Sequence, residues 1–139
     1  LGILAQPEHP ALANFPTEFH TNWQWFPIIK QSYPMILDRL SADYKPIVQV
    51  IDNVERNHKL GLLFEFKVGN GKLLVCMSDL KSVQDKPEAR QFYRSLLEYM
   101  QSDDFAPTYA LTVDNLRKLF TSKVQEGKVS ELWNISSYE

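Results

Sequence analysis

A hairpin signal in the middle of the chain constrains the fold more than any other feature. Two apolar segments, at positions 60–68 and 72–77, flank the sequence Gly69-Asn70-Gly71. Asn and Gly tolerate positive φ, which tight β-hairpin turns require, so Asn-Gly between apolar runs is the strongest short hairpin signal. The pattern therefore predicts an antiparallel hairpin from Leu60 to Met77, and with it a β-sheet.

The two strands of this hairpin differ in their polarity. Side chains alternate between the two faces of a strand, so Leu62, Phe64 and Phe66 are expected to share one face. Glu65 falls on the opposite face, and the first strand is therefore expected to be half solvated. The second strand, at positions 73–77, is apolar throughout and is expected to lie deeper in the sheet.

Amphipathic stripes predict two helices after the hairpin. Pro87 suits a first helical position because its φ is already fixed near the helical value, and a helix is expected from Pro87 to Gln101. Its apolar residues recur at the spacing of one helix face: Ala89, Phe92, Tyr93, Leu96, Leu97 and Met100. A narrower stripe predicts a second helix over Val113–Thr121, with Thr112 as its N-cap.

Length and charge limit the classes of protein to which the chain can belong. The chain has 139 residues, of which 44% are hydrophobic and 23% charged, and this is the size and composition of one globular domain. We therefore expect a single α/β domain over residues 1–139. Its net charge of −2 argues against non-specific binding to nucleic acid or to an anionic membrane surface. The longest purely apolar run, positions 73–77, is far shorter than the roughly 20 residues of a membrane span.

The two ends of the chain carry separate expectations. Short strands are predicted at positions 1–5 and 46–52, both of which are apolar. Because the chain begins in an apolar segment without Met, we expect it to be part of a longer protein. Residues 122–139 are mostly polar and are interpreted as a tail that either docks or frays.

We predict no catalytic residue, no metal site and no cofactor site from the motifs. Glu8, His9, Glu18 and His20 crowd the first twenty positions, where metal binding or acid–base chemistry is conceivable, but their spacing is loose and structural or surface roles are favoured. Cys76 lies among apolar residues of a predicted strand, where a thiol has a raised pKa and is unreactive.

One segment mixes large aromatic side chains with hydrogen-bonding groups. Positions 19–26 contain four aromatic residues, and the candidate contact residues there are His20, Asn22, Trp23, Gln24, Trp25 and Phe26. Such a segment can fill a core, form a protein interface or stack on a sugar ring. If it is extended, Trp23 and Trp25 share one face and Phe26 faces away from them, so some aromatic surface is expected to remain exposed.

Five segments together carry a family resemblance: residues 1–25, 46–52, 59–65, 69–76 and 90–100. They resemble the C-terminal region of glycoside hydrolases of the β-galactosidase superfamily from gut Bacteroidetes. The resemblance covers most of residues 1–105. It implies an accessory domain with a three-layer flavodoxin-like or glutamine-amidotransferase-like α/β fold, which follows a catalytic barrel that this chain does not contain. It also implies a periplasmic or extracellular location.

The resemblance implies a non-catalytic role. That family keeps the two carboxylates of glycoside hydrolysis in its barrel, so no catalytic residue carries over to this chain. Glutaminase activity would need a His after the nucleophilic Cys, and none follows Cys76.

The expected function is support of the assembly or stability of a parent glycoside hydrolase, with its other domains or subunits as partners. Two alternatives stay open at this point. One is a carbohydrate-binding module that holds a glycan on Trp23 and Trp25, and the other is a small hydrolase of the trehalose-utilisation type.

Overall fold

A six-stranded, mostly antiparallel open sheet organises residues 2–121, the part of the chain that the computed structural model describes. The predicted tail at 122–139 lies outside these residues. In chain order the strands are β1 (Ile3–Ala5), β2 (Met35–Ile36), β3 (Val48–Val50), β4 (Leu60–Val68), β5 (Gly71–Cys76) and β6 (Ala110–Leu111). The helices are α1 (Phe26–Lys30), α2 (Pro87–Gln101) and α3 (Val113–Thr121), and 3-10 turns cover Pro10–Leu12, Trp23–Trp25 and Leu80–Val83.

The predicted hairpin is confirmed as β4 and β5, which pair antiparallel across a two-residue turn. Gly69 adopts a positive φ of 58°, and Asn70 does not. A two-residue hairpin with positive φ only at its first central position is the type II′ pattern, in which glycine is preferred at that position. The turn is therefore centred on Gly69-Asn70 and not on Asn70-Gly71.

Strand β4 is the centre of the sheet. Leu63 pairs with Val48 of β3 and also with Cys76 of β5, which places these two strands on opposite edges of β4. Near its start β4 also pairs with β2, and near its end with β6 in the one parallel ladder among the described residues. Strand β1 extends the sheet beyond β3.

A β-bulge changes the direction of the side chains along β4. Val48 pairs with Leu63 while the next residue, Gln49, pairs with Gly61, so Leu62 is an extra residue on β4. Because one inserted residue reverses the alternation, Leu62 and Leu63 both join the core cluster beneath α2. The prediction that Leu62 shares a face with Phe64 is wrong, since Phe64 lies in the cluster on the other face.

Helices cover both faces of the sheet. The larger core cluster contains Ile28 of α1 and Phe92 of α2, together with Leu63 of β4. The smaller cluster contains Leu119 of α3 and Phe64 of β4. Strand β4 is therefore buried on both faces, and the expectation that it is half solvated is wrong.

Both predicted helices are confirmed within their predicted bounds. In α3, the hydroxyl of Thr112 accepts a hydrogen bond from the backbone N–H of Asn115 at 3.1 Å, which is the predicted N-cap. In α2, the middle of the predicted stripe is buried, whereas Tyr93, Leu97 and Met100 at its border are partly exposed. None of the helices formed by residues 2–121 is both apolar enough and long enough to cross a bilayer.

Two other expectations about the sheet differ from what is observed. Strand β5 was expected to lie deep in the sheet, but among the described strands it pairs only with β4, and its residues are half-buried or exposed. A flavodoxin-like sheet is mainly parallel, whereas this one is mostly antiparallel. The connection between β3 and β4, residues 51–59, is shorter than the dozen or more residues that a parallel crossover requires.

Candidate functional site

Three aromatic side chains of the predicted contact segment are exposed. Trp23 is 88% exposed, Phe19 60% and Phe26 59%. The segment is not extended, because Trp23–Trp25 forms a 3-10 turn that leads directly into α1. Residues three apart on a helix lie on the same side, so Trp23 and Phe26 share the outer face. The arrangement expected for an extended segment, with Phe26 facing away from Trp23, therefore does not occur.

Trp25 is a core residue. Its side chain is fully buried, and its ring packs edge-to-face against Phe15 and Phe92, with centroid distances of 5.1 and 5.3 Å. The indole Nε1–H donates a hydrogen bond to the hydroxyl of Thr17 at 2.7 Å, which satisfies its only polar group. This burial removes Trp25 from the predicted contact surface.

The polar candidates of the segment have three different environments. His20 is exposed; its ring makes an edge contact with Phe19, and its Nδ1 lies 3.0 Å from the backbone oxygen of Thr21. Gln24 donates a hydrogen bond to the backbone oxygen of Pro16 at 2.8 Å. The side-chain oxygen of Asn22 is buried and has no hydrogen-bond partner among the described residues. We call Phe19, His20, Trp23 and Phe26 the aromatic surface.

A polar cleft of about 280 Å³ lies over the C-terminal half of β4. Its floor is the carboxylate of Glu65, which accepts a hydrogen bond from the hydroxyl of Tyr99 at 2.5 Å and lies 3.5 Å from Nε2 of His9. Nδ1 of His9 accepts the backbone N–H of Ala11 at 3.1 Å, so a neutral His9 carries its proton on the nitrogen that faces Glu65. We call this the Glu65 cleft.

Two tyrosines hold Glu65 in place. Burial, followed by the hydrogen bond to Glu65 and the negative charge there, raises the pKa of Tyr99, so its hydroxyl remains a donor at neutral pH. The hydroxyl of Tyr44 donates to the backbone oxygen of Glu65 at 2.8 Å and accepts its N–H at 3.2 Å. Burial also raises the pKa of Tyr44. The floor of the cleft is therefore preorganised.

The comparisons with known proteins place the chain in a family. The model of a domain of unknown function, DUF8487, matches residues 1–121. The chain belongs to the DUF8487 family. The search of curated proteins found no match. The description of the family names no activity, so the function has to be inferred from the surfaces of the molecule.

Sequence reasoning missed the Glu65 cleft because it placed Glu65 on a solvated face. One signal was available, since Glu65 is the only carboxylate in a nine-residue strand that is otherwise mainly apolar. The structure also separates the acid–base candidates near the N-terminus, because His9 faces Glu65 and not the carboxylates close to it in sequence. Among residues 2–121, no three His, Cys, Asp or Glu side chains are grouped so that they could hold a metal ion.

Proposed function

We propose that the chain is a non-catalytic accessory domain that docks through its aromatic surface onto another domain or subunit of a parent glycoside hydrolase. The observation that carries this proposal is the exposure of Trp23, Phe19 and Phe26 within eight consecutive residues. Clustered exposed aromatic side chains are unusual on monomers and are enriched at the energetic centres of protein interfaces.

The nature of the parent enzyme comes from the sequence resemblance. That resemblance implies that the parent is a glycoside hydrolase and that it is periplasmic or extracellular. It also implies that this domain has a flavodoxin-like or amidotransferase-like fold. Helices on both faces of the sheet and the parallel pairing of β4 with β6 favour this fold. The antiparallel pairing of β4 with β2, β3 and β5 argues against it. The proposed docking role depends on the aromatic surface and not on this topology.

The test uses the full-length gene and the two parts that we expect it to encode. We expect the gene to encode a glycoside hydrolase barrel beside this domain, and Trp23→Ala to weaken association of the two parts by about tenfold or more, as expected for an interface hot spot. Association is measured by mixing the separately purified domain and barrel in a calorimeter. Phe120→Ala is the matched control, because Phe120 is a large exposed aromatic residue on α3. Absence of a barrel from the gene, or equal affinity of Trp23→Ala and the unsubstituted domain, would contradict the proposal.

A second candidate function is glycan binding by the aromatic surface. The exposed indole of Trp23, in the same short segment as the exposed imidazole of His20, is the observation that favours it. With Trp25 buried, Trp23 is the exposed indole that residues 2–121 offer as a platform. A glycan array probed with the domain and with Trp23→Ala separates the candidates, since array binding that is lost in this variant supports the glycan-binding function over protein docking.

A further inference from the structure

The rim of the Glu65 cleft is held in a fixed shape. Nζ of Lys59 donates hydrogen bonds to the backbone oxygens of Ser41, Ala42 and Tyr44 at 3.2, 3.1 and 2.8 Å. The backbone N–H of Ser41 donates to the hydroxyl of Tyr109 at 3.0 Å. Lys59 and Tyr109 thus hold the loop of residues 41–44, and a preorganised rim reduces the entropy lost when a ligand binds.

The polar groups that face this cleft carry both signs of charge. Glu65 forms the floor, and Asp43 and Lys45 stand on the rim. Within residues 2–121 neither the carboxylate of Asp43 nor the ammonium of Lys45 has a hydrogen-bond or ion-pair partner. His9 presents its Nε2 to Glu65 at 3.5 Å, a separation longer than an ordinary hydrogen bond. These groups can accept or donate further hydrogen bonds.

This mixture of charges selects a class of ligand. A cation would be attracted by Glu65 and Asp43 but repelled by Lys45. An anion would be attracted by Lys45 but repelled by the two carboxylates. A neutral ligand with several hydroxyl groups avoids both repulsions, because each hydroxyl can donate to a carboxylate and accept from an ammonium or an imidazole N–H.

The size and walls of the cleft restrict the ligand further. A volume of about 280 Å³ lies just below the range of roughly 300–1,000 Å³ of pockets that hold drug-sized molecules. Tyr44 and Tyr109 form an aromatic wall with ring centroids 4.6 Å apart, and Tyr109 is partly exposed. Aromatic rings offer apolar surface for the C–H face of a ring-shaped ligand.

We propose that the Glu65 cleft binds a single sugar ring, either a free monosaccharide or the terminal residue of a glycan. Its hydroxyl groups donate to Glu65 and Asp43 and accept from Lys45, and its C–H face lies on Tyr109. This site is separate from the aromatic surface, and the proposal does not rest on the domain being docked to a glycoside hydrolase.

The test titrates the full chain with neutral monosaccharides and their methyl glycosides, up to about 20 mM, followed by NMR chemical shifts; this range detects even millimolar affinity. Inorganic phosphate and ethanolamine serve as the anionic and cationic probes. We expect saturable shifts with at least one sugar and none with either ion. Binding of an oligosaccharide but not of its free terminal sugar identifies a glycan end as the ligand, and tighter binding of the free sugar identifies a monosaccharide.

Substitutions assign the binding to the cleft. Asp43→Asn and Lys45→Met are each expected to lower the affinity for the sugar by about tenfold, and Glu65→Gln is expected to lower it further. Because Glu65 also contacts Tyr99, its variant is first checked for folding, and the two rim variants remain informative if it fails to fold. Asp103→Asn and Lys118→Met are the matched controls, since both residues are exposed and neither lines the cleft.

Three outcomes would overturn the proposal. They are the absence of saturable binding by every sugar, binding of phosphate or ethanolamine in place of a sugar, and sugar binding that the rim variants leave unchanged. In the last case loss of binding in Trp23→Ala would move the site to the aromatic surface. Normal docking of a domain that fails to bind sugar would leave the proposed accessory function intact.

Discussion

At the scale of single residues, Trp23 and Trp25 show what a sequence pattern can and cannot predict. The pattern identified an aromatic segment and left core, interface and sugar platform as alternatives. The choice depends on a 3-10 turn that directs Trp25 onto Phe15 and Phe92 and leaves Trp23 in solvent. That turn is stabilised by residues distant in sequence, so local periodicity could not predict it.

The two tryptophans are expected to differ sharply in their effect on stability. Trp25→Ala should lower the free energy of unfolding by about 3–5 kcal/mol, because it empties a packed site and removes the indole N–H from which the hydroxyl of Thr17 accepts a hydrogen bond. Trp23→Ala should change it by about 0.5 kcal/mol or less. Urea denaturation of both variants measures the difference. Equal destabilisation by the two substitutions would contradict this assignment.

The thiol of Cys76 is expected to react slowly in the folded protein. Burial raises its pKa to about 11, so at pH 8 only about one thiol in a thousand is ionised, and the thiolate is the reactive form. The labelling rate with a thiol reagent should increase with pH up to about 11 in the native protein, and level off near pH 8.5 in urea. Native and denatured protein that label at the same rate at pH 8 would exclude this explanation.

At the scale of elements, the parts predicted well are those specified by local sequence. The hairpin and both longer helices follow from a turn signal and from apolar stripes, and these are present in the structure. The pairing of β4 with β2 and β6 joins segments far apart in the chain, and a bulge in the pairing of β4 with β3 changes the face that Leu62 takes. Glu65 was assigned to solvent because local sequence does not show that His9 and Tyr99 cover its face of β4, and for the same reason the cleft was not predicted.

Gly61 provides a test of the bulged region of β4. A Cβ at this position would lie 2.6 Å from Cδ1 of Leu37 and 2.7 Å from Cδ1 of Phe64, both fully buried side chains. Gly61→Ala should therefore lower the free energy of unfolding by about 1–3 kcal/mol through overpacking. Gly71→Ala is the control in the same hairpin, because its nearest atom would be 3.3 Å away. If thermal unfolding shows that Gly71→Ala is the more destabilising substitution, the close packing around Gly61 does not have the effect on stability that we expect.

At the scale of the whole molecule, the two surfaces to which we assign proposed functions are formed by different residues of one scaffold. The aromatic surface is built by residues 19–20, the 3-10 turn and α1, and the Glu65 cleft by β4, the segment after β1 and the loops before β3 and β6. The larger core cluster reaches both regions, since it contains Trp25 next to the aromatic surface and Tyr99 next to the cleft. A scaffold of this kind can present a protein contact and a small-molecule site at the same time, because neither uses the residues of the other.

The isolated chain is expected to show no glycosidase activity, even if its cleft holds a sugar. The resemblance assigns the catalytic carboxylates to a barrel of roughly 250 residues, and this chain has 139. Within the cleft, Glu65 is held by the hydroxyl of Tyr99. Binding a sugar does not by itself lower the activation barrier of glycoside hydrolysis, which needs an acid and a nucleophile on opposite sides of the scissile bond. Turnover of a chromogenic galactoside by the pure chain is the measurement, with the full-length parent enzyme as the positive control. Activity that persists through purification and disappears in Glu65→Gln would make the cleft a catalytic centre and refute the assignment of the chain as a non-catalytic domain.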